Sequence, residues 1–102
     1  MKKTIVILAS ILITFLSNPI LAAGDTEAGQ AKSATCMGCH GLAGNSTIPN
    51  FPKLAGQGEA YIVKQLQYFK SGERKNAMMA GVASLLSDQD MEDIAAYYSI
   101  QT

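Results

Sequence analysis

The chain has no tryptophan, one histidine, two cysteines and three prolines among its 102 residues, and each scarcity removes a class of protein. Two Cys and one His cannot supply the roughly four N or S ligands of a structural zinc site. Nor can two Cys build a disulfide framework. Eight Lys and Arg offset eight Asp and Glu, so no basic excess exists to bind a nucleic-acid backbone. A single long apolar run, Thr4 to Leu16, excludes a protein of several membrane spans. Strand-like alternation is scarce, and nothing repeats internally.

What is present begins with a leader. Lys2 and Lys3 precede the apolar run, Ser17-Asn18-Pro19 breaks it, and the small residues Ala22, Ala23 and Gly24 follow, which is the pattern of a secretory signal peptide over residues 1–23 cleaved after Ala22 or Ala23. The run falls short of the about 20 residues typical of a bilayer span, so an uncleaved anchor is the lesser reading. Residues 24–102 would then form one domain, exported to the periplasm and without stable membrane insertion. It keeps the cations Lys32, Lys53, Lys64, Lys70, Arg74 and Lys75 against the acids Asp25, Glu27, Glu59, Glu73, Asp88, Asp90, Glu92 and Asp93, six against eight. A domain of this size has a marginal core of its own.

The two Cys and the lone His stand together as Cys36-Met37-Gly38-Cys39-His40. C-x-x-C-H is the spacing of covalent c-type haem attachment: each thiol adds to one vinyl group, and the adjacent imidazole ligates the iron. A thioredoxin-like pair would need a strand before it and a βαβ setting, which the flanking residues do not provide. A structural disulfide would close a very small loop and leave His40 unused. A tethered macrocycle would supply the apolar surface that so short a chain lacks, and the haem-free chain is expected to be largely unfolded.

Three helices are predicted. The first runs from about Thr26 to the motif, with Asp25 as N-cap and Gly29 marking a close approach. In the second, Glu59 to Ser71, residues Ile62, Leu66 and Phe69 share one face and Gly72 ends the helix. Ser87 and Asp90 form a capping box for the third, in which Met91, Ile94, Ala95 and Tyr98 recur on one face. The acids Asp88, Asp90, Glu92 and Asp93 suit the positive end of its dipole. Gly41 to Gly58 and Gly72 to about Leu86 read as loops whose apolar residues face the haem.

With no second His, a Met thioether is the leading sixth ligand. Met1 leaves with the leader, Met37 lies inside the motif and Met91 belongs to a helix face. Met78 and Met79 remain, in a segment read as extended, where neighbours point to opposite sides. The residues alone leave both open.

The motif with Gly41, the run Ile48-Pro49-Asn50-Phe51-Pro52-Lys53-Leu54-Ala55-Gly56-Gln57, then Gln65-Leu66, Met79-Ala80-Gly81-Val82, Leu86-Ser87-Asp88-Gln89-Asp90 and Ala95-Ala96-Tyr97-Tyr98 together resemble a class I cytochrome c. The likeness is to one half of the dihaem cytochromes c4 and to the monohaem cytochromes c553, and it covers residues 24–102 in order. It implies an all-α class I cytochrome c fold, with three main helices and loops wrapped around one covalently bound haem c. It also implies thioether links at Cys36 and Cys39, His40 and Met79 as axial ligands with Met78 as runner-up, and a Pro49 carbonyl bonded to His40. Phe51, Leu54, Tyr61, Leu66 and Leu86 would line the haem, Gly29 would meet Tyr97, and Gln57 and Arg74 would reach the propionates. The implied function is single-electron transfer between redox proteins. Two rivals are a haem c subunit of a larger dehydrogenase, such as a sulfide-oxidising flavocytochrome with a flavoprotein partner, and a ligand sensor with open iron.

Overall fold

A computed structural model describes residues 2–12 and 23–102. The second half of the expected leader, residues 13–22, lies outside the described residues, whereas 2–12 are exposed and without regular secondary structure. From residue 26 onward the regular elements of the described chain are all helices, with no strand. Among the described residues no helix is long and apolar enough to cross a membrane.

The chain enters α1, Thr26–Lys32, under the Asp25 cap, whose carboxylate accepts from the Ala28 amide at 3.0 Å. The expected single first helix is in fact two, because α2, Ala34–His40, starts anew after Ser33. Ser33 explains the break: its hydroxyl donates back to the Gln30 carbonyl at 2.7 Å, a local bond that competes with helix continuation. Further along, α3 spans Glu59–Ser71 and ends where Gly72 adopts φ 84°, as its sequence predicts. The segment read as an extended loop contains a further helix, α4, Ala77–Ala83, capped by Asn76. Last comes α5, Asp88–Ser99, with the reciprocal Ser87/Asp90 capping box in place.

The apolar faces of α3 and α5 form the core: Ile62, Val63 and Leu66 pack with Met91, Ile94, Ala95 and Tyr98. Against this, α1 crosses α5 at contact distance, and Gly29 makes the crossing possible. A Cβ at Gly29 would stand 1.9 Å from the Asp93 carbonyl oxygen and 2.8 Å from the Tyr97 Cβ. Both are fixed parts of α5, so neither can give way.

The acidic start of α5 does more than complement the helix dipole. The Asp93 side chain is 5% exposed and accepts from Lys32 Nζ at 2.6 Å, from the Asp25 amide at 2.9 Å and from Gln89 at 3.0 Å. Lys32 also pairs with Asp90 at 2.9 Å. Hydrogen bonding to Lys32, with the Asp25 amide second, holds the Asp93 carboxyl below the usual carboxylate range. Asp90 is held low by the same lysine.

Two outcomes test this crossing. Gly29→Ala should destabilise the haem-loaded protein by about 1–3 kcal/mol, the usual range for overpacking, as read from its denaturant midpoint. An unchanged midpoint would contradict the contact. A carboxyl whose folded-state pKa is depressed stabilises above its unfolded value of about 3.9, and that stability is lost as pH falls through this value and below. Asp93→Asn should therefore be clearly less stable than the parent near pH 7, with the gap closing below about pH 4. A gap that is the same at both pH values would contradict the linkage.

Candidate functional site

Between α2, residues 50–57, α3 and α4 lies a cleft of about 310 Å³. From α2 it receives Cys36, Cys39 and His40, and from α4 Met78, Met79 and Val82. Its walls are largely apolar, with Phe51 and Leu54 from the loop, Ile62, Leu66 and Phe69 from α3, and Ile94 and Tyr98 from α5. Polar groups belong to Asn50, Lys53, Gln57, Gln65, Arg74 and Asn76.

His40 closes α2, and Gly41 then turns the chain away at φ 81°. A side chain at Gly41 would place its Cβ 2.6 Å from the Asn45 carbonyl oxygen, so glycine is required there for space as well as conformation. The His40 ring is buried, and its Nδ1 lies 2.8 Å from the Pro52 carbonyl oxygen. A carbonyl only accepts, so Nδ1 carries a proton, and in the neutral ring Nε2 is then the nitrogen whose lone pair can meet a metal. The edge of Phe51 approaches the same ring at 6.4 Å between centroids.

This corrects the acceptor implied by the family likeness, Pro49. Pro49 is exposed and does not line the cleft. The reason is a turn in which the Phe51 amide donates to the Ile48 carbonyl at 3.0 Å, reversing the chain at Pro49 and Asn50. The Leu54 and Ala55 amides then dock on the Gly44 carbonyl at 2.9 and 3.2 Å, which brings the second proline, Pro52, to the imidazole.

Four of the expected lining residues, Phe51, Leu54, Tyr61 and Leu66, do border the cleft. Leu86 does not. It packs against the α3/α5 core instead, and its carbonyl accepts from Lys70 Nζ at 2.6 Å. Gln57 and Arg74 both border the cleft, with Arg74 donating to Gln65 at 2.8 Å and lying 4.6 Å above the Phe69 ring. Met78 and Met79 both reach it, but on a helix their side chains diverge by about 100° rather than pointing to opposite sides. Met79 is half-buried against the core, while Met78 is 59% exposed.

Tyr98 and Asn76 were not singled out as site residues by their sequence. Tyr98 reads as one more core position at helical spacing, yet its ring borders the cleft and packs under Gly44. Burial pushes its hydroxyl well above the ordinary tyrosine range, and burial likewise raises the Cys36 thiol. Asn76 is visible only as the cap of a helix whose own pattern is too short to recognise.

The donors suit a haem better than a free cation. Among the described residues no three His, Cys, Asp or Glu converge, as zinc or calcium would require. One imidazole, two thiols three positions apart and soft thioethers around an apolar slot match what a haem c needs.

The cytochrome c family profile matches residues 26–99. The chain is 53% identical over 105 residues to cytochrome c4 of Stutzerimonas stutzeri, covering 93% of this chain and 50% of that protein. It is 44% identical over 82 residues to cytochrome c-554(548) of Halomonas halodenitrificans, covering 78% of this chain and 99% of that protein. The crystal structure of reduced recombinant cytochrome c4 from Pseudomonas stutzeri superposes with a TM-score of 0.74 at 57% identity, over 78% of this chain and 47% of that one. The chain thus spans about half the length of the cytochromes c4 it matches.

Proposed function

The chain belongs to the cytochrome c family, and on that premise we propose that it is an exported electron carrier whose single haem c is linked through Cys36 and Cys39 and ligated by His40 and Met79. A cytochrome c domain of this fold carries one covalent haem c, which supplies a one-electron ferrous/ferric couple. The observation that carries the reading is the His40–Pro52 bond: it engages Nδ1 and so assigns Nε2 as the ring nitrogen for a metal, in the same cleft that both thiols and Met79 line.

Each residue has a definite task. Cys36 and Cys39 tether the macrocycle to α2. The Pro52 carbonyl orients the imidazole and increases its basicity. The half-buried position of Met79, against the exposure of Met78, favours Met79 as the second ligand, a soft donor that stabilises the reduced state. Were His40 and Met79 both to hold the iron, the chain would leave it no open position for small ligands. Exchange with other redox proteins needs only a brief contact of small area. The Lys2-Lys3 leader ahead of an apolar run supports export to the periplasm. The match spans 99% of cytochrome c-554(548), so a single domain of this kind can stand as a whole protein, which is compatible with a carrier of one haem.

Met79→Ala should abolish the long-wavelength sulfur-to-iron absorption of the oxidised protein and lower its reduction potential, while Met78→Ala should keep the band. The reverse pattern would move the ligand one residue. Cys36→Ala should leave at most one thioether and sharply reduce the yield of haem-loaded protein, and an unchanged pyridine haemochrome spectrum at normal yield would contradict two-point attachment. Purification from native extract should give a carrier whose partners dissociate in salt; a stable complex with a flavoprotein would mark it as a dehydrogenase subunit instead.

A further inference from the structure

The helix that carries both candidate methionines packs on α3 and buries Ala83, but has little intrinsic stability of its own. α4 is seven residues long, contains Gly81, and has no acidic residue in its first turn to complement the helix dipole. So short a helix is unstable alone, and glycine lowers its propensity further. Its N-terminus is fastened by one side chain. Asn76, in extended backbone at φ −159°, accepts the Met79 amide on Oδ1 at 3.0 Å, and its own carbonyl accepts the Ala80 amide at 2.8 Å. Asn76 also borders the cleft. The cap therefore grips the backbone of the very residue whose sulfur is to meet the iron.

We propose that Asn76 is the positioning residue for the sixth ligand: its side chain locks the first turn of α4 and so holds Met79 in the cleft. This rests on the reading of Met79 as ligand given above. Moving Met79 out of the cleft together with its backbone means displacing that first turn, and the Asn76–Met79 bond resists that movement. Removing the side-chain acceptor favours the open arrangement without touching the attachment motif, the imidazole or the α3/α5 core. An external base can bind the iron only in the open arrangement, so its apparent affinity scales with the open fraction.

The test uses the haem-loaded, oxidised full chain titrated with imidazole. Asn76→Ala should bind imidazole about fivefold more tightly than the parent, the factor that corresponds to the usual cost of a lost helix cap. Asn76→Asp, which retains an acceptor at the same place, should return the affinity to near the parent value. A generally weakened fold would lower the denaturant midpoint but leave imidazole affinity unmoved. If Met79→Ala removes the sulfur-to-iron band and Asn76→Ala leaves imidazole binding unchanged, the positioning role is wrong and the ligand assignment stands. If Asn76→Asp binds as tightly as Asn76→Ala, the cap is not the device and the proposal fails. If Met79→Ala keeps the band, the ligand reading itself fails.

Discussion

The crossing of α1 over α5 is the constraint on which the rest of the fold depends. It joins backbone and side chains 68 positions apart, with the Asp25 amide on Asp93, and it works only because Gly29 has nothing to insert between the helices. Around it a nearly buried carboxylate is surrounded by Lys32, the Asp25 amide and Gln89, so the cost of desolvating it is met by charge-assisted bonds. Directly after Lys32 comes Ser33, which redirects the chain into α2. The orientation of the attachment motif is thus tied to the crossing of α1 over α5. α5 also reaches the far side of the site, since the Tyr98 carbonyl accepts the Gly56 amide at 3.0 Å beneath the loop that carries Pro52.

With α1, α3 and α5 fixed in this way, the molecule has only part of a core. Ile62, Val63, Leu66 and the inner face of α5 pack on one another, but Phe51, Leu54, Phe69 and Val82 surround a cleft of about 310 Å³. A domain this small buries too little apolar surface to leave that space unfilled without a large cost in stability. The covalent cofactor is therefore structural before it is electronic. It completes the packing, and the free energy of binding it adds to the free energy of folding.

Where helical periodicity was long, the sequence foretold the structure closely. The bounds of α3, its Gly72 stop, the Ser87/Asp90 box and the buried face of α5 are all local signals, as is the Gly29 contact once α1 and α5 are placed together. The motif set Cys36, Cys39 and His40 together, and all three line the cleft. Illegible were features set by short segments or by competition between local bonds. Ser33 splits a helix through one hydroxyl. α4 is too brief to show a period, so Met78 and Met79 read as extended. Pro49 and Pro52 are chemically equivalent candidates for the His40 acceptor, and only the turn at residues 48–51 decides between them. Leu86 carries the same apolar signal whether it faces a cofactor or another helix.

The acid-rich start of α5 and the cation-rich stretch from Lys53 to Lys75 also mean something different in three dimensions. As sequence they are opposite charges on solvated faces. In the fold, Asp90 and Asp93 are engaged by Lys32 and by the capping box, which ties that negative charge to the helix crossing. Lys53 and Arg74 border the cleft, with Arg74 braced over Phe69 and bonded to Gln65. The exposed Tyr61 and Met78 belong to the same border. The acids closest to the fold's pivot are therefore partly neutralised internally, while fixed positive charge and exposed apolar surface gather at the border of the cleft. Charge at that border is free to act over about a Debye length, whereas the carboxylates tied to Lys32 are compensated where they stand.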